Sequence, residues 1–210
     1  MDALTAVRAR IASTGRDPDE VTIVAVTKGH PIGVVRAAAD AGLLDIGENQ
    51  AQELLAKVDD GVPLGVRWHF LGPVQRNKVK KLAAHVALWQ AVDRGAAGEE
   101  LARHRPGAAV LVQVNLSGDE ARPGCGWDDA PRLVERLRAG GLEVRGLMGV
   151  ATRGGDARRE FRRLATLRRD LHLDELSIGM SGDLEVGVEE GATIVRVGSS
   201  LFGARPEAGR

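Results

Sequence analysis

Eight short apolar runs, each followed by an amphipathic stretch, constrain the possible folds of this chain more than any other feature. The runs cover residues 21–26, 44–46, 67–71, 87–92, 109–114, 143–148, 175–178 and 194–197. Runs of this length, rich in β-branched residues, read as strands, and the longer stretches between them read as helices. Pro31 near the start of 32–41 and Gly42 just past its end are the expected punctuation of one such helix. Trp127, Ala130, Val134 and Leu137 share one face of a second helix, and Phe161, Leu164, Leu167 and Leu171 one face of a third. Strands alternating with helices predict parallel βαβ units, and eight of them predict a closed (β/α)8 TIM barrel. An open doubly wound sheet is the alternative, disfavoured by the count of eight and by the lack of a dinucleotide fingerprint. No linker or charge block divides residues 1–210, so a single domain is expected, with a frayed tail after Gly203.

Composition removes several classes of function. Lys plus Arg equals Asp plus Glu at 29 each, which argues against a nucleic-acid binder working through bulk charge. The arginine-rich stretch 158–169 therefore reads as a solvated helix face. No apolar stretch approaches the roughly 20 residues of a membrane span. The N-terminal stretch, with Asp2, reads as a first helix and not as a signal peptide. The single cysteine, Cys125, fits a reducing cytoplasm; on its Gly-flanked loop it reads as an exposed thiol with nothing nearby to activate it. The five histidines form no HxH or HExxH pair, so no metal site is expected.

Chemistry in such barrels gathers where strands end and the following loops begin. The chain uses 24 Arg but only five Lys, and one of those five, Lys28, closes the first run. A lysine amine can lose a proton and add to an aldehyde as a Schiff base, which a guanidinium cannot do. The plain alternative is a strand-end lysine that reaches into solvent. The other strand ends present Asn49, then His69 with Gln75, Asn77 and Lys78, then Asn115 and Ser117, then Met180 and Ser181, and finally Arg196, Gly198 and Ser199. The last two loops are the expected place for a phosphate. In that reading Ser181 caps a helix starting at Gly182 and presents its hydroxyl to an anion, provided the Asp183 carboxylate turns away. The alternative is that Ser181, Gly198 and Ser199 only make turns and caps. A lysine facing a phosphate cradle suits pyridoxal 5′-phosphate. Arg196 would then sit by the pyridine nitrogen, donating a hydrogen bond without giving up its proton, which makes the ring a poor electron sink. Its alternative is a buried arginine paired with Glu185 or Glu189.

The segments AVTK (25–28), IGENQAQEL (46–54), WHFLGPVQRNK (68–78), VNLSGDEARPG (114–124), RGLMGV (145–150), SIGMSGD (177–183) and VRVGSSLFGAR (195–205) together resemble the pyridoxal phosphate homeostasis proteins. This is the YggS/PROSC group, similar in fold to the barrel half (the N-terminal domain) of alanine racemase. The resemblance implies Lys28 as the Schiff-base lysine, Arg196 as the ring-nitrogen partner, Asn49 near the ring, and Met180, Ser181, Gly198 and Ser199 around the cofactor. Departures from the family pattern are Thr27 in place of a common Ser, Arg122-Pro123 in place of a Lys, and Ser199 in place of a common Thr. The function implied is cofactor buffering and delivery in the cytoplasm by a monomer, with pyridoxal-phosphate-dependent apo-enzymes as recipients and no catalytic residues. A weak amino-acid racemase is the runner-up. Racemisation needs a second base, which alanine racemase takes from a tyrosine on an additional domain, and this chain has no tyrosine. His69 and Lys78 are the remaining candidates, His69 being equally suited to packing in the barrel wall. An unrelated phosphate-binding barrel isomerase is the third reading. Lys78, Lys80 and Lys81 mark a possible second anion site.

Overall fold

The computed structural model describes residues 2–204. Eight strands alternate with helices: β1 (Thr22–Val26), β2 (Asp45–Glu48), β3 (Arg67–Phe70), β4 (Val86–Val92), β5 (Ala109–Gln113), β6 (Glu143–Met148), β7 (Glu175–Met180) and β8 (Ile194–Val197). The helices are α1 (Ala3–Ala12), α2 (Ile32–Asp40), α3 (Ala51–Asp59), α4 (Arg76–Leu82), α5 (Gly95–His104), α6 (Ala130–Ala139), α7 (Ala157–Asp170), α8 (Leu184–Glu189) and the four-residue α9 (Ser199–Phe202). The strands pair in sequence order and in parallel, and β8 returns to β1, so the sheet closes as a barrel. At the seam Val24 lies beside Arg196 and Ala25 beside Val197.

The alternation of side chains along a strand splits the core in two. Apolar residues of the helices, among them Ile11, Leu54, Leu101 and Phe161, pack on outward-facing strand residues such as Trp68, Trp89, Ile178 and Val195. A smaller cluster fills the barrel: Val24, Leu88, Ala91, Ala109, Leu111, Met148 and Ile194. His69, Gln90, Ser177 and Arg196 join it on the inner face. Hydrogen bonds link Gln90 on β4 to Ser177 on β7, strands that are not neighbours, so the contact crosses the interior.

Differences from the sequence reading have local causes. Strand β2 continues through Gly47 and Glu48 because the Glu48 carboxylate is buried against Lys57 and Thr27, which the apolar pattern does not reveal. Strand β7 runs on to Met180 through Gly179, whose φ of +86° suits glycine. Trp127 precedes α6 instead of opening it, and the Arg163 guanidinium stacks 4.0 Å above its ring. On α7, Leu171 is the C-cap. The arginine-rich face of that helix is solvated as expected, with Arg158 and Arg162 exposed while pairing with Glu189 at the end of α8 and with its C-cap Glu190. The tail expected to fray falls, from residue 205 on, outside the described residues. Among the described residues no helix is long and apolar enough to cross a membrane, and none of them form a cluster of three or more potential metal ligands.

Candidate functional site

A cavity of about 650 Å³ opens at the C-terminal ends of the strands. Lys28, Asn49, Met180, Ser181, Arg196, Gly198 and Ser199 all line it. They come from β1, β2, β7 and β8 or the residues directly after them, so the closure of β8 on β1 brings the two ends of the sequence to one rim. His69 does not line this cavity, and neither do Lys78, Lys80 and Lys81 on α4.

Lys28 is half-buried and follows β1 by one residue, after Thr27. Its Nζ has no hydrogen-bond or ion-pair partner among the described residues, unlike buried Lys57. Lys57, on α3, reaches under the loop: its Nζ donates to Thr27 O at 2.8 Å and to Glu53 Oε1 at 3.1 Å, and pairs closely with Glu48. Thr27 Oγ1 donates to Glu48 Oε1 at 2.6 Å, and Glu53 accepts from Gly29 N. Burial pushes the Glu48 carboxyl up against the pull of Lys57 and Thr27. The backbone on both sides of Lys28 is therefore clamped while its amine is free.

Arg196 is 5% exposed and has no carboxylate partner among the described residues. Its Nη1 donates to Ser177 O at 2.7 Å and Ser177 Oγ at 2.6 Å, and its Nη2 to Gly149 O at 2.8 Å. The ion pair considered from the sequence does not form, because Glu185 binds Arg10 at 2.6 Å and Glu189 binds Arg158. Burial pushes the guanidinium down to about 10, which leaves it charged at neutral pH. Two of its five N–H groups, on Nε and Nη2, remain without acceptors among the described residues.

Opposite these cations the loops after β7 and β8 carry unsatisfied donors. Among the described residues the backbone N–H groups of Ser181, Gly182, Gly198 and Ser199 have no acceptor. Ser181 does not cap the next helix, which starts at Leu184; its Oγ accepts from Ser200 N at 3.4 Å, tying the two loops together. The Asp183 carboxylate turns to Met180 N at 2.6 Å, away from these amides. Arg10 on α1 braces the same loops, bonding Glu185, Ser181 O at 3.0 Å and Ser200 Oγ at 3.5 Å. Gly72 has a steric role: a Cβ there would lie 1.9 Å from Asn49 O, so only glycine lets the loop after β3 pass Asn49.

Several residues of the site carry no mark in the sequence. His30 is buried, lines the cavity and stands 5.8 Å from the Phe202 ring. Gly149 acts through its backbone alone, its carbonyl accepting from Arg196 and its N–H donating to Ser177 O at 3.1 Å. Lys57 is a helix lysine like any other until its burial is seen. A second cavity of about 810 Å³ adjoins the first, sharing Val150, Met180 and Gly182 and extending past Asn115, Arg122 and Arg153. Cys125 is half-buried, contrary to the exposed thiol expected, and burial pushes it up to about 12.

Comparison with known proteins agrees with this architecture over nearly the whole chain. The family model described as alanine racemase, N-terminal domain, matches residues 2–206. A pyridoxal phosphate homeostasis protein of Pseudomonas aeruginosa is 41% identical over 95% of this chain and 91% of its own. One from Deinococcus radiodurans is 42% identical over 95% and 97%. The solved structure of PipY from Synechococcus elongatus with PLP bound has a TM-score of 0.83 and 34% identity, covering 94% of this chain and all of that one. The chain belongs to the alanine racemase N-terminal domain family and, within it, to the pyridoxal phosphate homeostasis proteins.

Proposed function

We propose that this protein binds pyridoxal 5′-phosphate in the cavity at the barrel mouth, with Lys28 as the covalent anchor, and that it buffers and delivers the cofactor. The observation that carries the reading is the convergence on one cavity of an unpartnered lysine amine, a guanidinium lacking a carboxylate, and four backbone N–H groups lacking acceptors. These groups fit an aldehyde, a ring nitrogen and a phosphate respectively. The names of the relatives and the cofactor in PipY support the same reading.

When bound, the cofactor supplies an aldehyde that condenses with a primary amine, releasing water, and a ring that withdraws electrons best when its nitrogen is protonated. Lys28 provides the amine from a backbone clamped by Lys57, Glu48 and Glu53. Arg196 would donate to the ring nitrogen and, keeping its own proton, would favour that nitrogen unprotonated. Ser181, Gly182, Gly198 and Ser199 receive the phosphate through N–H and O–H donors, and Asn49 and Met180 bound the ring. Residues 1–210 then act as one cofactor-binding domain, a cytoplasmic monomer that turns over no substrate and hands its cargo to apo-enzymes.

Reductive trapping with borohydride after loading, followed by peptide mass spectrometry, tests the anchor. A single adduct on Lys28 is expected; an adduct elsewhere, or none, overturns the reading. The racemase alternative has one observation in its favour, since Lys28 and His30 line the same cavity. Exchange of amino-acid α-hydrogen in D2O that is abolished in Lys28→Ala would establish it, and with it reject the carrier role.

A further inference from the structure

Arg196 is the first member of a hydrogen-bonded chain that runs down the inside of the barrel and away from the cavity. Arg196 Nη1 lies 2.6 Å from Ser177 Oγ, Ser177 Oγ 2.6 Å from Gln90 Oε1, Gln90 Nε2 2.7 Å from His69 Nδ1, and His69 Nε2 3.0 Å from Asp45 Oδ1. Asp45 opens β2 at the opposite end of the barrel, where Arg67 Nε grips the same oxygen at 2.8 Å. Ser177 and Gln90 are fully buried, and His69 is 5% exposed.

The two ends, together with the Ser177–Gln90 bond, set the position of every proton between them. A guanidinium only donates, and an ionised carboxylate only accepts. Burial pushes the Asp45 carboxyl up, but the hydrogen bonds from His69 and Arg67 outweigh it and hold the group at about 2, so it is ionised at neutral pH. Ser177 Oγ accepts a hydrogen bond from Arg196 Nη1 and donates its own hydrogen to Gln90 Oε1. Gln90 therefore turns its NH2 to His69, whose Nδ1 must accept, and His69 carries its proton on Nε2, facing Asp45. Each acceptor end points toward Arg196. Aligned in this way, the links polarise one another and present the buried cation with the negative ends of oriented dipoles in place of a direct counter-ion.

We infer that Ser177, Gln90, His69 and Asp45 are positioning residues for Arg196, a one-way relay that holds its guanidinium and aims its two remaining N–H groups into the cavity. The relay fixes His69 in one tautomer, so this side chain is structural and does no proton transfer at the mouth. The functional consequence rests on the cofactor reading above, whereas the proton positions do not.

The test separates the two. In the cofactor-free protein, 15N chemical shifts of His69 at pH 7 are expected to show a bare Nδ1 and a protonated Nε2. A proton on Nδ1, or on both nitrogens, overturns the relay whether or not any cofactor binds. Pyridoxal 5′-phosphate affinity is then measured for wild type, Gln90→Met and Asp45→Asn, with circular dichroism as the check on folding. Gln90→Met cuts the chain and is expected to weaken binding about tenfold with Lys28 still trapped by borohydride, and Asp45→Asn, which keeps an acceptor but removes the charge, about threefold. A folded Gln90→Met that binds within about twofold of wild type overturns the positioning role. Failure of wild type itself to bind would sink the cofactor reading and leave the proton positions to be judged by the shifts alone.

Discussion

Replacing Lys57 by Met isolates what the clamp beneath Lys28 contributes. Methionine keeps an unbranched apolar stem of similar reach, so the loss is mainly the ammonium. That leaves Glu48, 0% exposed, with only the Thr27 hydroxyl as a donor; its Oε2 already lacks any partner among the described residues. A carboxylate in that position takes up a proton on folding. With an unfolded value near 4.3, protonation at pH 7 costs about 3.7 kcal/mol, an upper bound on the deficit because burial already raises the Glu48 carboxyl in wild type. This is a large part of the roughly 5–15 kcal/mol that holds a domain folded. The sign of the pH dependence follows. In the variant Glu48 has a folded value above its unfolded one, so its contribution is complete at low pH and is lost as pH rises past about 4.3. The deficit relative to wild type should therefore shrink to about 1 kcal/mol or less at pH 5. Urea unfolding followed by tryptophan fluorescence at pH 5 and pH 7 measures both. The double variant Glu48→Gln/Lys57→Met, which has no charge to bury, should recover most of the loss. A deficit below about 1 kcal/mol at pH 7, or one equal at the two pH values, refutes the argument.

Three further outcomes follow from the geometry. Gly72→Ala forces a Cβ against Asn49 O, so it should lower stability by about 1–3 kcal/mol in thermal melts and weaken cofactor binding together. Arg10→Ala removes the brace on Ser181 and Ser200, so titration should show a weaker phosphate end, with inorganic phosphate losing affinity along with the cofactor while Lys28 trapping persists. Cys125, pushed up to about 12, should react with iodoacetamide slowly, at a rate that rises about tenfold per pH unit from 7 to 9 without the levelling an ordinary thiol shows above about 8.5. Because its folded value lies above the unfolded value of about 8.5, stability should also fall as pH rises from there toward 12.

The barrel was legible because its signal is repetitive: eight apolar runs survive an error of two residues at any one of them. The rim was legible for a related reason. Lys28, Asn49, Ser181 and Gly198 interrupt apolar pattern just where strands end, and the closed fold has only one place for such residues to meet. The interior relay was not. Gln90 within VALWQAV and Ser177 within ELSIGM look like single lapses in apolar strands, and their partners lie 87 residues apart in sequence. A polar residue on the inner face of a parallel barrel, where water cannot satisfy it, is the signal that could have flagged them. Lys57 was hidden differently, since on an amphipathic helix a lysine at an inward position reads as a stem lying along the surface.

The seam between β1 and β8 also has a bearing on biosynthesis. Lys28 leaves the ribosome well before β8, the strand that flanks it and bears Arg196. Until then β1 has an unpaired edge and the nascent chain has an amine without a binding pocket. Cofactor capture thus awaits the synthesis of β8, and the exposed edges of β1 and β7 make the nascent chain that still lacks it the species most prone to aggregate.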